Sequence, residues 1–70
     1  MERDGRLEGM QAYEIHGTRY YRVYFSHPEQ PDIIEQCQLP FDAIDAGLKP
    51  GDSIRVTYLL KTVMEIRRAG

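Results

Sequence analysis

Hydrophobic and polar residues alternate along most of this chain with the period of two that marks half-buried strands. The clearest run is Thr18 to Ser26. Tyr21, Val23 and Phe25 share one parity there, and Tyr20, Arg22 and Tyr24 share the other. Leu7 to His16 is a less regular run, with Gly9 marking a bulge or bend. Leu7, Tyr13 and Ile15 fall on one of its faces, Met10 and Ala12 on the other. His16-Gly17-Thr18 supplies a tight turn between these two strands. His27 to Asp32 contains two prolines and is expected as a loop.

A third strand is predicted over Ile33 to Leu39, with Ile33, Cys37 and Leu39 on one side and Ile34, Gln36 and Gln38 on the other. Pro40 to Ala46 reads as a short helix or single turn. Phe41, Ile44 and Leu48 recur at near-helical spacing and are expected to plug the core. Gly47 is a stop signal, and Lys49-Pro50-Gly51-Asp52 fits a type II turn. The fourth strand, Ser53 to Leu60, turns Ile54, Val56, Tyr58 and Leu60 to one side. The fifth, Val63 to Arg68, is expected to bury Met64 and Ile66 and to expose Val63 and Glu65. Residues 1–5 are charged and read as a frayed start.

The order β-β-β-α-β-β predicts an all-β fold: one small five-stranded barrel with a short helix, spanning residues 1–70. An OB-like layout ranks first and an SH3-like barrel second, because the last two strands are joined by a tight turn near Leu60 to Thr62. Seventy residues hold one core and no more. No apolar run reaches the roughly 18 residues a membrane helix needs, and the charged start is followed by no apolar signal core. The single cysteine, Cys37, excludes an internal disulfide and suits a reducing, cytoplasmic setting.

Nine Lys and Arg face eleven Asp and Glu, a formal charge of −2. That balance argues against a generic polyphosphate binder and leaves room only for a local basic face.

The sharpest candidate is Tyr20, Arg22 and Tyr24, placed on one strand face at successive spacings of about 7 Å. Aromatic rings stack on bases and arginine meets phosphate, so this triad can serve as a single-strand platform, with Arg19, Arg55 and Arg67 as supporting cations. The same residue types are common interface anchors and common strand-packing residues. Ile34, Leu59 and Val63 form a candidate exposed apolar interface. On an edge, Arg55, Lys61, Arg67 and Arg68 also block unwanted strand pairing.

His16, His27 and Cys37 lack paired ligand spacing, so no metal site is expected. Asp42 and Asp45 are three apart and are read as a solvated, dipole-facing pair rather than acid–base partners. No nucleophile, phosphate-loop or zinc-protease motif occurs, so no enzyme activity, cofactor or small-molecule substrate is expected.

Leu7-Glu8-Gly9, Tyr21-Arg22-Val23, Gly51-Asp52 with Ile54, Val56 and Tyr58, and the closing Glu65-Ile66-Arg67-Arg68 together resemble the S1-like and cold-shock-like OB-fold proteins. That group includes bacterial translation initiation factor one. The resemblance implies single-stranded RNA or DNA, or the ribosome, as partner. The chain departs from it in strand three, which carries Gln36 and Gln38 but no aromatic, and in the acidic Pro28-to-Glu35 segment. The expectation is a non-catalytic binding module that takes single-stranded nucleic acid through strand two. The alternative is a protein-interaction or self-assembling module.

Overall fold

A computed structural model describes residues 1–69. Five strands are formed: β1 (Glu2–Ile15), β2 (Thr18–His27), β3 (Gln30–Pro40), β4 (Ser53–Leu59) and β5 (Thr62–Arg68). They make one antiparallel sheet in the order β3-β2-β1-β4-β5. The domain is all-β, as the alternation predicts. β3 and β5 are the outer strands, and no ladder joins them among the described residues. No helix among those residues is long and apolar enough to cross a membrane.

The start of the chain is ordered strand, not a frayed segment. Glu2 to Arg6 pairs with Ser53 to Thr57, and Met1 exchanges both backbone hydrogen bonds with Tyr58, at 2.7 and 2.9 Å. β1 therefore serves two partners, β4 with its first half and β2 with its second. Gly5 lies where the chain passes under Ser26. A Cβ there would stand 3.1 Å from the Ser26 carbonyl oxygen and 3.4 Å from Ile54 and Val56.

The bend predicted near Gly9 is a bulge. Leu7 pairs with Phe25 and Gly9 with Tyr24, leaving Glu8 as the extra residue. The extra residue switches the faces of the strand. Leu7 is buried and Met10 packs against the core, while Tyr13 moves to the opposite face from Leu7. A second bulge in the last hairpin has the same effect: Thr57 pairs with Glu65 and Tyr58 with Val63. Val63 consequently packs on the core and Met64 is 47% exposed, the reverse of the simple alternation.

The core is Leu7, Val23, Phe25, Leu39, Ile44, Leu48, Ile54, Val56 and Ile66. Pro40 to Ala46 supplies only a single 3₁₀ turn, Phe41–Ala43, rather than an α-helix. Ile44 and Leu48 do reach the core, but Phe41 is 58% exposed. Past the turn the chain straightens and Ile44 forms a parallel bridge to Ile66, which lines up Asp45 N–H with the Ile66 carbonyl at 3.3 Å. This segment covers part of the outer edge of β5. The expected His27–Asp32 loop shrinks to Pro28-Glu29, and Pro31 lies within β3. An outer strand tolerates proline because one row of its N–H groups has no ladder partner.

The predicted turns hold. His16 and Gly17 both take positive φ (51° and 81°) between β1 and β2. Gly51 has φ 97° in the third place of the Lys49–Asp52 turn, closed by Asp52 N–H to Lys49 O at 3.0 Å.

Two outcomes follow. Gly5→Val forces a branched side chain against Ser26, Ile54 and Val56 and should cost about 1–3 kcal/mol, read as a lower urea midpoint. Burial pushes the Cys37 thiol from 9.0 up to about 11. At pH 8 the native chain should therefore carry roughly a hundredfold less thiolate than the urea-unfolded chain and be alkylated by iodoacetamide correspondingly more slowly.

Candidate functional site: an outer tyrosine face

Val23 and Phe25 are buried under the sheet, so the alternate residues Tyr20, Arg22 and Tyr24 lie on its outer face, as the sequence predicts. Register adds neighbours that the sequence reading missed. On β1, Tyr13 stands opposite Tyr20, Gln11 opposite Arg22 and Gly9 opposite Tyr24. On β3, Gln38 stands opposite Arg22 and Gln36 opposite Tyr24.

The side chains form one connected set. The Tyr13 and Tyr20 rings stack with centroids 5.9 Å apart and planes 25° apart. The Arg22 guanidinium lies 5.5 Å from the Tyr13 centroid, a cation–π contact. Gly9 leaves room for Tyr24: a Cβ there would sit 3.6 Å from the ring. Tyr13 reaches this face only because of the Glu8 bulge. Without it, Tyr13 would share the parity of Leu7.

Among the described residues no ladder neighbour of the set is a carboxylate. Glu14 and Glu35 have the opposite parity. Glu8, at the rim, accepts a 2.6 Å hydrogen bond from the Ser26 hydroxyl. The Tyr13 hydroxyl is shut off from solvent with no hydrogen-bond partner among the described residues.

The three supporting cations do not join this face. Arg19 pairs across the ladder with Glu14 on the other parity. Arg55 meets Glu2 at 3.1 Å and Asp4 at 3.0 Å on the β1–β4 half. Arg67 meets Asp45 at 3.0 Å and Glu65 at 3.2 Å, and donates to the Asp42 carbonyl. These partners hold the Arg55 and Arg67 guanidiniums above their ordinary range.

Asp45 also accepts the Arg68 backbone N–H at 2.7 Å, and that bond, followed by Arg67, holds its carboxyl below the usual range. It is a clasp between the post-turn segment and β5. Of the apolar trio, Ile34 and Leu59 are exposed, on β3 and β4, while Val63 packs inward.

A second polar cluster sits at the other end of the sheet, where the sequence offered only a loop histidine. His27 is buried. Its Nδ1 lies 2.8 Å from the Asp4 carbonyl and its Nε2 lies 2.8 Å from the Tyr58 hydroxyl. A carbonyl only accepts, so Nδ1 carries the donated proton, and in the neutral ring Nε2 accepts from Tyr58. Arg3, paired with Glu29, lies 5.9 Å from the Tyr58 ring centroid. Burial raises the Tyr58 hydroxyl above its ordinary value. His27 thus ties the end of β2 to β1 and β4, a structural role. Among the described residues no group of three His, Cys, Asp or Glu side chains could hold a metal ion.

Comparison with known proteins leaves these faces to be read on their own terms: no family model, curated protein or solved structure matches the chain.

The two buried hydroxyl environments predict opposite responses to the same change. Tyr58→Phe strands His27 Nε2 and should cost about 1–3 kcal/mol in urea unfolding. Tyr13→Phe removes a hydroxyl that has no partner and should be neutral or slightly stabilising.

Proposed function

We propose that the chain is a non-catalytic binding module whose outer face on β1, β2 and β3 takes single-stranded RNA or DNA. The observation that supports this is the carboxylate-free surface of Tyr13, Tyr20, Arg22 and Tyr24, bordered by Gln11, Gln36 and Gln38, on a chain of net charge −2. Tyrosine rings offer stacking surfaces to any base, and Arg22 offers one phosphate contact. Glutamine amides can donate to and accept from base edges or backbone. An OB-like layout, which the resemblance to S1-like proteins suggests, would use this same β2–β3 surface for oligonucleotides. That layout is part of the proposal.

The arginine positions limit the mode of binding. With Arg55 and Arg67 held by carboxylates, Arg22 is the cation left in the centre of the face. Affinity would come from stacking more than from counterion release. A protein partner on the same face is the second reading. It is favoured by that scarcity of unpaired cations and by the pre-assembled Tyr13–Tyr20–Arg22 stack, since tyrosine and arginine are common interface anchors.

Fluorescence anisotropy of labelled poly-U and poly-dT separates the readings. For nucleic acid, log K should fall with log salt at a shallow slope of about −0.7, the value for one phosphate. Arg22→Ala should remove most of that slope, and Tyr24→Ala should cost about 1–3 kcal/mol of binding at every salt concentration. No binding at low salt, or binding that ignores salt altogether, would sink the nucleic-acid reading and leave the protein partner.

A further inference from the structure

The outer face of the sheet does not end at Tyr24. About 7 Å further along β2, Ser26 takes the next position of the same parity. Ser26 pairs with Arg6 on β1, and Arg6 pairs in turn with Ser53 on β4. β3 leaves its regular register at this point. Phe25 pairs with Glu35 and His27 with Gln30, so four residues of β3, Pro31 to Ile34, stand against Ser26 alone. Pro31 of this surplus segment and Pro28 of the preceding turn line a hollow of about 300 Å³, together with Arg6, Glu8, Ser26 and Ser53. Ser26 is accordingly only 4% exposed, although it lies on an outward position. The volume is at the lower end of small-ligand sites and suits one planar base.

Two opposite charges line this hollow, and neither is engaged in an ion pair among the described residues. Arg6 is exposed. Glu8, the extra residue of the β1 bulge, is half-buried, and its carboxylate accepts the Ser26 hydroxyl at 2.6 Å. That bond leaves about three of the carboxylate's lone-pair sites unused. A guanidinium only donates and a carboxylate only accepts, so the complementary ligand presents acceptors on one edge and donors on another. A phosphate would meet the Glu8 charge, and a simple cation would meet Arg6.

We propose that this hollow is a guanine pocket, taking one base of the strand that the tyrosine face stacks. Guanine carries O6 and N7 side by side, a match for the fork of Arg6. Its N1–H and N2 amino group are also adjacent, a match for the two oxygens of Glu8. Adenine and cytosine each offer a carboxylate one amino group, and uracil one ring N–H, so none of them fills both partners. Pro28 and Pro31 supply apolar walls for the faces of the base. The proposal rests on the single-strand reading of the tyrosine face and adds a base identity to it. A contact from Arg6 to a base, unlike one to phosphate, releases no counterions.

The test uses anisotropy of short labelled uridine strands that carry guanosine, adenosine or cytidine at one end or the other. Guanosine at one of the two ends should bind at least about tenfold tighter than the other bases there, the discrimination of a bidentate base contact. Inosine, which lacks the N2 amino group, should lose at least about fivefold against guanosine. Arg6→Ala and Glu8→Gln should each reduce the guanosine-to-uridine ratio at least about fivefold; the glutamine keeps an acceptor for the Ser26 hydroxyl. Equal affinity for all four terminal bases would overturn the pocket and leave the tyrosine face standing. An Arg6→Ala variant that weakens every strand alike and flattens the salt slope would also overturn it, by making Arg6 a phosphate contact. If no strand binds, guanosine monophosphate and adenosine monophosphate are titrated into isotope-labelled protein. Amide shifts at Arg6, Glu8, Ser26 and Ser53 with the guanine nucleotide alone would uphold the pocket and sink the tyrosine face. No such shifts would overturn both.

Discussion

The dual pairing of β1 is the constraint on which the rest of the structure depends. One strand contributes its first half to β4 and its second half to β2, and among the described residues its ladder with β4 is the one that joins the two hairpins. Passing from one half to the other demands close approach at Gly5 and an extra residue at Glu8. The bulge lets Leu7 and Met10 both serve the core although they are three residues apart. It also delivers Tyr13 to the outer face beside Tyr20 and Arg22. The core and the candidate site are therefore produced by the same backbone irregularity, which is where strained or bulged residues commonly gather.

A second consequence concerns charge. The chain is close to balanced, yet its charges are not mixed evenly. Arg3, Arg55, Arg67 and Arg68 each stand against a carboxylate, on the β1–β4–β5 half and its adjoining loops. Exposed pairs of this kind contribute little to stability individually. Their more important effect is on the surface, because they remove these arginines as anion-binding groups. Arg22 escapes this because its ladder neighbours are Gln11 and Gln38. A near-neutral protein thus holds a small face whose described ladder positions carry one cation and no acid, which net charge alone does not reveal.

The small core needs help at its rim. Nine apolar residues are buried among those described, and the sheet has two outer strands. Two polar devices close the ends. His27 bridges Asp4 and Tyr58 where β2, β1 and β4 converge, and Asp45 clasps Arg67 and Arg68 along the edge of β5. Both draw on residues far apart in sequence: the first resists separation of the two hairpins, and the second holds the post-turn segment on β5. A buried histidine with both ring nitrogens satisfied also fixes one arrangement of that corner, as partly satisfied alternatives are costly.

Local chemistry was legible in the sequence by itself. The all-β class followed from alternation, and the His16-Gly17 and Pro50-Gly51 turns followed from residues that accept the required backbone angles. Val23, Phe25, Ile54, Val56 and Ile66 were identifiable as core because their strands keep strict alternation up to that point. The Tyr20–Arg22–Tyr24 face was legible for the same reason. The tertiary structure decided what depends on register. An extra residue reverses parity for everything beyond it, so Tyr13, Val63 and Met64 changed sides at bulges whose position only strand pairing reveals. Pairing with β4 made an ordered strand of the charged start. Carboxylates more than twenty residues away took Arg55 and Arg67 out of the candidate site. Phe41 stayed outside because a single 3₁₀ turn does not carry helical periodicity. Periodicity reports on neighbours along the chain, whereas a site is assembled by neighbours across it.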